Sequence, residues 1–204
     1  MSLSRRTLLL LPLAAAACTE STPPRTSFPP LRYDYLNPIG LNVATIDATT
    51  RASAGGGADD ITASAPIDLP AALQAVGADR MKAWGTAGRA EFVITEAALY
   101  RRSGGYEGAL SVELDIYPAA SNQRAAYAEA RVFRRIENDS DDVRGTLYDL
   151  EKQLLDAMNV ELEFQIRRNI RDWLVAAPNA TPAPVSAQPL PLPPPPALPP
   201  PAVR

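Results

Sequence analysis

The sequence predicts an α+β domain: a two-layer sandwich with a four-stranded mixed sheet and two helices on one face. The expected order is strand, helix, three strands, helix. Three observations carry this. Glu107 to Tyr117 alternates Leu110, Val112, Leu114 and Ile116 with Ser111, Glu113, Asp115 and Tyr117; strict period-two alternation buries one face of a strand and wets the other. The flanking runs Arg89–Arg102 and Gln123–Ile136 alternate too, with turn residues at Ser103-Gly104-Gly105 and Pro118–Asn122, so an antiparallel meander is the economical arrangement. Amphipathic segments on either side of the meander offer the second layer that a one-sided sheet needs.

Ahead of this domain the chain reads as a leader. Arg5 and Arg6 form a positive n-region, and Leu8–Ala17 is a ten-residue apolar core. A permanent membrane span needs about 20 apolar residues, so residues 1–17 are expected to be a cleaved export signal. Ala15-Ala16-Ala17-Cys18 resembles a bacterial lipobox. That resemblance implies that Cys18 is lipidated and opens the mature protein. Ser4-Arg5-Arg6-Thr7-Leu8-Leu9 also resembles a twin-arginine export signal, with Leu8 where phenylalanine is usual, so both that route and the general secretory route stay open. Thr19, not aspartate, follows the cysteine, which by the same resemblance implies the periplasmic face of the outer membrane. Cys18 is the single cysteine, so no intrachain disulfide forms.

Residues 18–30 form a polar, proline-containing tether, and the domain is expected over 31–176. Ile39–Ile46 reads as the first strand. Residues 48–65 form a loop whose Gly55-Gly56-Gly57 lacks the Gly-Lys-Ser/Thr of a phosphate cradle. Pro66–Ala83 reads as a helix capped by Asp68, with Pro70 in its first turn and Leu69, Leu73, Val76 and Trp84 on its packed face. In the meander, Ala90, Phe92, Ile94, Ala98 and Tyr100 are expected to point inward, as are Ala126, Ala128, Ala130, Val132 and Ile136. Ser140–Val175 then reads as one long helix of roughly 52 Å. Its candidate caps are Asn138, Asp139 and Ser140, and its apolar stripe runs from Val143 to Trp173. Residues 177–204 hold most of the chain's 21 prolines and read as an extended or disordered tail.

Composition removes several functions. There is no histidine, which excludes a histidine triad, a histidine–zinc site or a histidine proton shuttle. A net charge of −3 argues against nucleic acid as a partner. Lys82 and Lys152 are the only lysines and no Ser-x-x-Lys is present. Acidic pairs at Asp59-Asp60, Asp141-Asp142 and Glu161/Glu163 sit where a solvated role suffices, leaving a carboxylate hydrolase as a distant alternative. No catalytic residue, metal or cofactor is expected.

Two surfaces remain as candidates for binding. A meander brings the ends of its first and third strands together, gathering Arg101, Arg102, Arg134 and Arg135 on strands roughly 10 Å apart. Such a cluster suits a lipid phosphate or an acidic partner, or simply pairs with neighbouring acids. The second half of the long helix carries Leu162, Ile166, Ile170 and Trp173 beyond what one small sheet covers. That stripe is either a protein interface or is covered by the segment around Tyr33, Tyr35 and Leu36.

The order of elements behind a lipobox resembles small lipoproteins of the Gram-negative envelope, among them the lipoprotein of the lipopolysaccharide-assembly complex and the auxiliary lipoproteins of ABC-type lipid transport. The likeness is architectural over Ile39–Val175, with no motif matched and no functional residue carried across. The stretch Arg89–Trp173 also resembles uncharacterised alphaproteobacterial proteins. The resemblance implies a membrane-anchored accessory subunit for another envelope protein, or a direct binder of lipid or lipopolysaccharide.

Overall fold

A computed structural model describes residues 23–52, 57–137 and 141–177 of the protein. In chain order the elements are β1 (Ile39–Leu41), β2 (Thr45–Thr50), α1 (Leu69–Arg80), β3 (Met81–Ala83), β4 (Arg89–Arg102), β5 (Gly105–Tyr117), β6 (Ala126–Glu137), α2 (Val143–Asn169) and β7 (Leu174–Val175). β2, β4, β5 and β6 form the main sheet in that order. β2 runs parallel to β4, and β4, β5 and β6 make the antiparallel meander. α1 packs on β4, and α2 lies across β5 and β6. The α+β sandwich holds.

The first expected strand is in fact two. β1 belongs to a second, three-stranded sheet, between β3 and β7, while β2 edges the main sheet. The chain crosses between sheets at Asn42–Ala44, where Ala44 donates to the Gly88 carbonyl and Gly85 to the Val43 carbonyl, both at 3.0 Å. Trp84, expected in the core, is only half-buried. Its ring lies against Gly40, where a Cβ would come within 1.9 Å of it.

Local chemistry sets both helix ends. The Asp68 side chain accepts from the Ala71 N–H at 3.0 Å to start α1, with Pro70 in the first turn. The helix stops at Arg80 because Met81 turns extended and enters β3. Asp142, not one of the three expected caps (which lie outside the described residues), accepts from the Gly145 N–H at 3.0 Å to start α2. α2 ends at Asn169, earlier than expected. A 3₁₀ turn over Arg171–Trp173 then releases Leu174 and Val175 to pair antiparallel with β1.

β4 carries a register shift between Ile94 and Glu96. A bulge inserts one residue and exchanges the faces beyond it. Ala90, Phe92 and Ile94 face the helices as expected, but past the bulge the inward residues are Ala97 and Leu99. Ala98 and Tyr100 pair with Ala109 and Glu107 on the other face. β5 and β6 keep their alternation, and Leu110, Val112, Leu114, Ala128 and Ala130 are all buried.

α2 closes this face with Leu147, Leu150, Leu154, Leu155 and Met158, all buried. Leu154 sits over Gly108, where a Cβ would come within 2.3 Å of its side chain. The proposal that Leu162, Ile166 and Ile170 form an interface is corrected: they are 1, 0 and 1 % exposed, and Trp173 is half-buried. Tyr33, Ile39, Leu41 and Val43 join the same core cluster. Arg80 fastens the cover to the helix through Asn159, at 2.6 Å, and Glu163. The stripe outruns the main sheet, and the second sheet and the amino-terminal segment cover it.

One core group is out of place. Glu151 of α2 is completely buried, and among the described residues no side chain pairs with its carboxylate and no hydrogen bond of good geometry reaches either oxygen. Burial pushes its carboxyl up to about 8, opposed in part by the Ile67 backbone amide. A folded-state value above the unfolded one means that the folded protein holds the extra proton. The stability so gained is fully present below about pH 4.5 and is lost as pH rises towards 8. With no histidine in the chain, no other side chain at its ordinary value titrates across that window. Urea unfolding should therefore show the protein several kcal/mol more stable at pH 5 than at pH 8.5. Glu151→Gln should flatten that slope; an equal slope in the variant would assign it elsewhere.

Candidate functional site

The four arginines gather at one end of the main sheet, but they divide between its faces. Arg102 and Arg135 lie on the face away from the helices, in the rows of Gly105 and Glu107, while Arg101 and Arg134 fall in the rows of the buried Tyr106 and of Gly108. The bulge in β4 is the reason, since without it Arg101 and Arg102 would exchange sides. On the open face Glu107 sits between the two arginines, 2.8 Å from Arg102 and 3.5 Å from Arg135. Arg102 also reaches Asp59 at 3.6 Å and stacks 4.9 Å above the Tyr100 ring. Arg135 donates to the Ser103 carbonyl at 2.9 Å. On the helix side, Arg101 lies 5.9 Å from the Tyr106 ring and Arg134 donates to the Phe133 carbonyl at 2.8 Å. No ion pair engages either of these two among the described residues. The cluster is thus half neutralised.

The loop expected over 48–65 shapes the same end. Its described part docks along β4 beyond the end of β2. Ile61 donates to the Leu99 carbonyl at 2.9 Å, Arg101 to the Asp59 carbonyl at 2.7 Å, and Leu99 to the Thr62 hydroxyl at 2.8 Å.

The tether expected over residues 18–30 is fastened from Arg25 onward. Arg25 donates its backbone N–H to Asp142 at 2.8 Å and its guanidinium to both oxygens of Asp149 at 2.6 and 2.8 Å. Those backbone donors, Arg25 and Gly145, hold the Asp142 carboxyl below the usual carboxylate range. Phe28 packs on Tyr148 with ring centres 5.5 Å apart, under the Arg144 guanidinium. Arg32 and the Tyr33 N–H converge on Asp79, and the Tyr33 hydroxyl donates to Asp156 at 2.8 Å. The Arg32 hydrogen bonds lower the Asp79 carboxyl against the opposing effect of its burial. Residues 25–33 thus form a strap across the outside of α2. The signal arginines Arg5 and Arg6, and Cys18 itself, lie outside the described residues.

Nothing among the described elements crosses the other face of the main sheet. It is a lattice of acids, arginines and tyrosines: Arg89 on Glu91 and over Tyr117 at 4.0 Å, Arg124 on Asp115 at 2.8 Å and over Tyr127 at 4.4 Å, and Arg131 on Glu129. The acids proposed as pairs have structural partners: Asp60 with the Thr62 N–H, Glu161 with Gln165, and Glu163 with Arg80 and Arg167. Among the described residues no group of His, Cys, Asp and Glu is arranged to hold a metal ion, and no helix is long and apolar enough to cross a membrane.

Comparison with known proteins adds little. No family model matches the chain, and no curated protein matches it. Among solved structures, the crystal structure of protein XCC0632 from Xanthomonas campestris, of the DUF330 family, is similar over 73 % of this chain and 92 % of that one. The identity is 9 % and the TM-score 0.37. At that score the likeness carries no argument, and the fold assignment stands on the strand order itself.

Glu107 is the acid shared by both open-face arginines and so masks part of the positive charge at this end. Glu107→Gln should change unfolding stability by less than about 1 kcal/mol, because Arg102 and Arg135 are substantially exposed. It should raise cosedimentation with phosphatidylglycerol vesicles at low salt. Unchanged vesicle binding would show that Glu107 does not mask the arginines.

Proposed function

We propose that this protein is a non-enzymatic, membrane-anchored envelope lipoprotein that serves as an accessory binding subunit in outer-membrane assembly or lipid transport. The observation that supports it best is the strap. Arg25 is pinned to α2 only seven residues beyond Cys18, and a fully extended chain of that length reaches about 25 Å. A lipid on Cys18 would therefore hold the domain close to the bilayer, with the uncovered face of its main sheet available to another envelope protein. That face is charged and aromatic rather than greasy, which suits reversible association of a folded subunit better than a permanent apolar joint.

A second reading has its own support. Among the described residues Arg101 and Arg134 have no carboxylate partner, and a direct lipid or lipopolysaccharide binder would use them. The two readings differ in where the partner sits and in how binding responds to salt, since capture of anions by exposed arginines weakens steeply as salt rises.

Growth with a labelled fatty acid tests the anchor. The wild type should be labelled and should fractionate with outer membranes, while Cys18→Ser should be unlabelled and released. Labelling that survives the substitution would end the lipoprotein reading. Pull-down from detergent-solubilised envelopes at low and high salt then separates the alternatives. A co-purifying protein retained by wild type and by an Arg101→Ala/Arg134→Ala variant favours the accessory subunit. Loss of lipopolysaccharide with those arginines, and with salt, favours the direct binder.

A further inference from the structure

β6 is the free edge of the main sheet, and it is a poorly guarded one. It runs twelve residues, pairs with β5 in unbroken register and contains neither proline nor lysine. Soluble proteins blunt such an edge with a bulge, a proline, a short strand or charged side chains, and of these β6 has only the charges. The opposite edge follows that habit: β2 has six residues, and the loop around Asp60 docks on β4 beyond it. Beside β6 the groove against α2 is open, about 580 Å³, with Val132, Ala157 and Val160 along its wall. Phe133 and Val160 at its rim are 55 and 68 % exposed.

We propose that the β6 edge is where a second copy of this chain pairs, antiparallel, about a twofold axis at Val132. The charges on the strand argue for this occupant. Tyr127, Glu129, Arg131, Phe133, Arg135 and Glu137 alternate along the open face, with Glu129 and Arg135 equally distant from Val132 in opposite directions. Pairing Val132 with Val132 of the second copy sets Glu129 opposite Arg135, Arg131 opposite Phe133 and Tyr127 opposite Glu137. Each pair occurs twice. Opposite charges and cation–aromatic pairs facing each other across strands are favourable, and like charges there are not. Other registers fare worse. Centring on Arg131 or Arg134 sets an arginine against itself, and centring on Phe133 sets Arg131 against Arg135 and Glu129 against Glu137. Centring on Ala130 pairs Glu129 with Arg131 but carries Arg135 and Glu137 past the start of the facing strand.

The arrangement is isologous, so one patch meets its own copy and the assembly closes at two. Facing residues share a side of the joined sheet. Both helix layers, and the two straps that cross α2, therefore lie on one side of the dimer, and two amino-terminal tethers can enter one membrane. On that side Val132 meets its counterpart in the groove beside Ala157 and Val160. The open faces merge into a single surface of eight strands, doubling what a partner meets.

Sedimentation velocity of the whole mature chain in detergent, with mass determination, tests this independently of whether the anchor is a lipid. The wild type should sediment at twice the chain mass. Glu129→Arg and Arg135→Glu should each fall to the mass of one chain, because each reversal acts twice across the axis. The combined Glu129→Arg/Arg135→Glu variant exchanges the charges and should return to the dimer, which also shows that the single variants fail in pairing and not in folding. A wild type that stays at one chain mass at tens of micromolar overturns the proposal, as does a dimer indifferent to the single reversals. Dissociation by Glu129→Arg alone, without rescue by the double variant, overturns the Val132 register. Cross-linking of Val132→Cys only to a different protein would give the edge to that partner and overturn the proposal as well.

Discussion

An apolar stripe on one helix must be covered along its whole length, and the rest of the fold answers to that constraint. α2 buries residues from Leu147 to Ile166, followed by Ile170 beyond its end, a span that the main sheet matches only in part. Over the sheet, the fit of Leu154 onto Gly108 sets how closely helix and strand approach. Towards its carboxyl end the helix outruns the sheet. The chain then uses three short strands, the end of α1 and the segment around Tyr33 to finish the cover. A two-layer domain with a second small sheet is the consequence, and both ends of the folded region are drawn into it.

Covering the stripe also buries charge, in two contrasting ways. Arg80 is 2 % exposed but engages Asn159, Glu163 and the Asn37 carbonyl, so its burial joins α1, α2 and the amino-terminal segment. Glu151 is just as deeply buried, but among the described residues it has no charged or side-chain partner, only the backbone amide of Ile67 nearby. A buried ionised group with no partner costs several kcal/mol, and such a carboxyl escapes that cost by keeping its proton. The polar groups with freedom to meet other molecules are elsewhere, on the open face of the main sheet and along β6. The proposed associations use these two surfaces.

The meander was legible because Leu110 to Ile116 alternate without exception and glycine or proline punctuates both ends. α1 was legible through Asp68 and Pro70, and α2 through its three-and-four spacing. The bulge after Ile94 left no such mark. Ala97 and Ala98 are equally small, so the sequence Glu96-Ala97-Ala98-Leu99 reads acceptably in either phase, and the faces of Arg101 and Arg102 could not be told apart. The second sheet was hidden for a related reason. β1, β3 and β7 have two or three residues each, too few for a period to show. Leu174 and Val175 also continue the helical spacing of the stripe before them, so the break at Ile170 is set by what β1 offers as a partner. Glu151 looked like one more solvated acid on a charged helix, and only the packing of the region around Ile67 over it makes it unusual. The strap was partly foreseeable: Arg25, Phe28 and Arg32 are an unusual set of anchors for a passive tether.

The claim that the apolar stripe of α2 is core from Leu147 through Ile170 is tested most directly by placing charge in its second half. Unfolding of the full chain carrying Ile166→Asp and Ile170→Asp should show a stability loss of at least about 3 kcal/mol, the cost of unpaired charges in a packed interior. Loss of the cooperative transition altogether would agree with this. An unchanged melting temperature, together with loss of a co-purifying envelope protein, would contradict it and return the stripe to the surface as an interface.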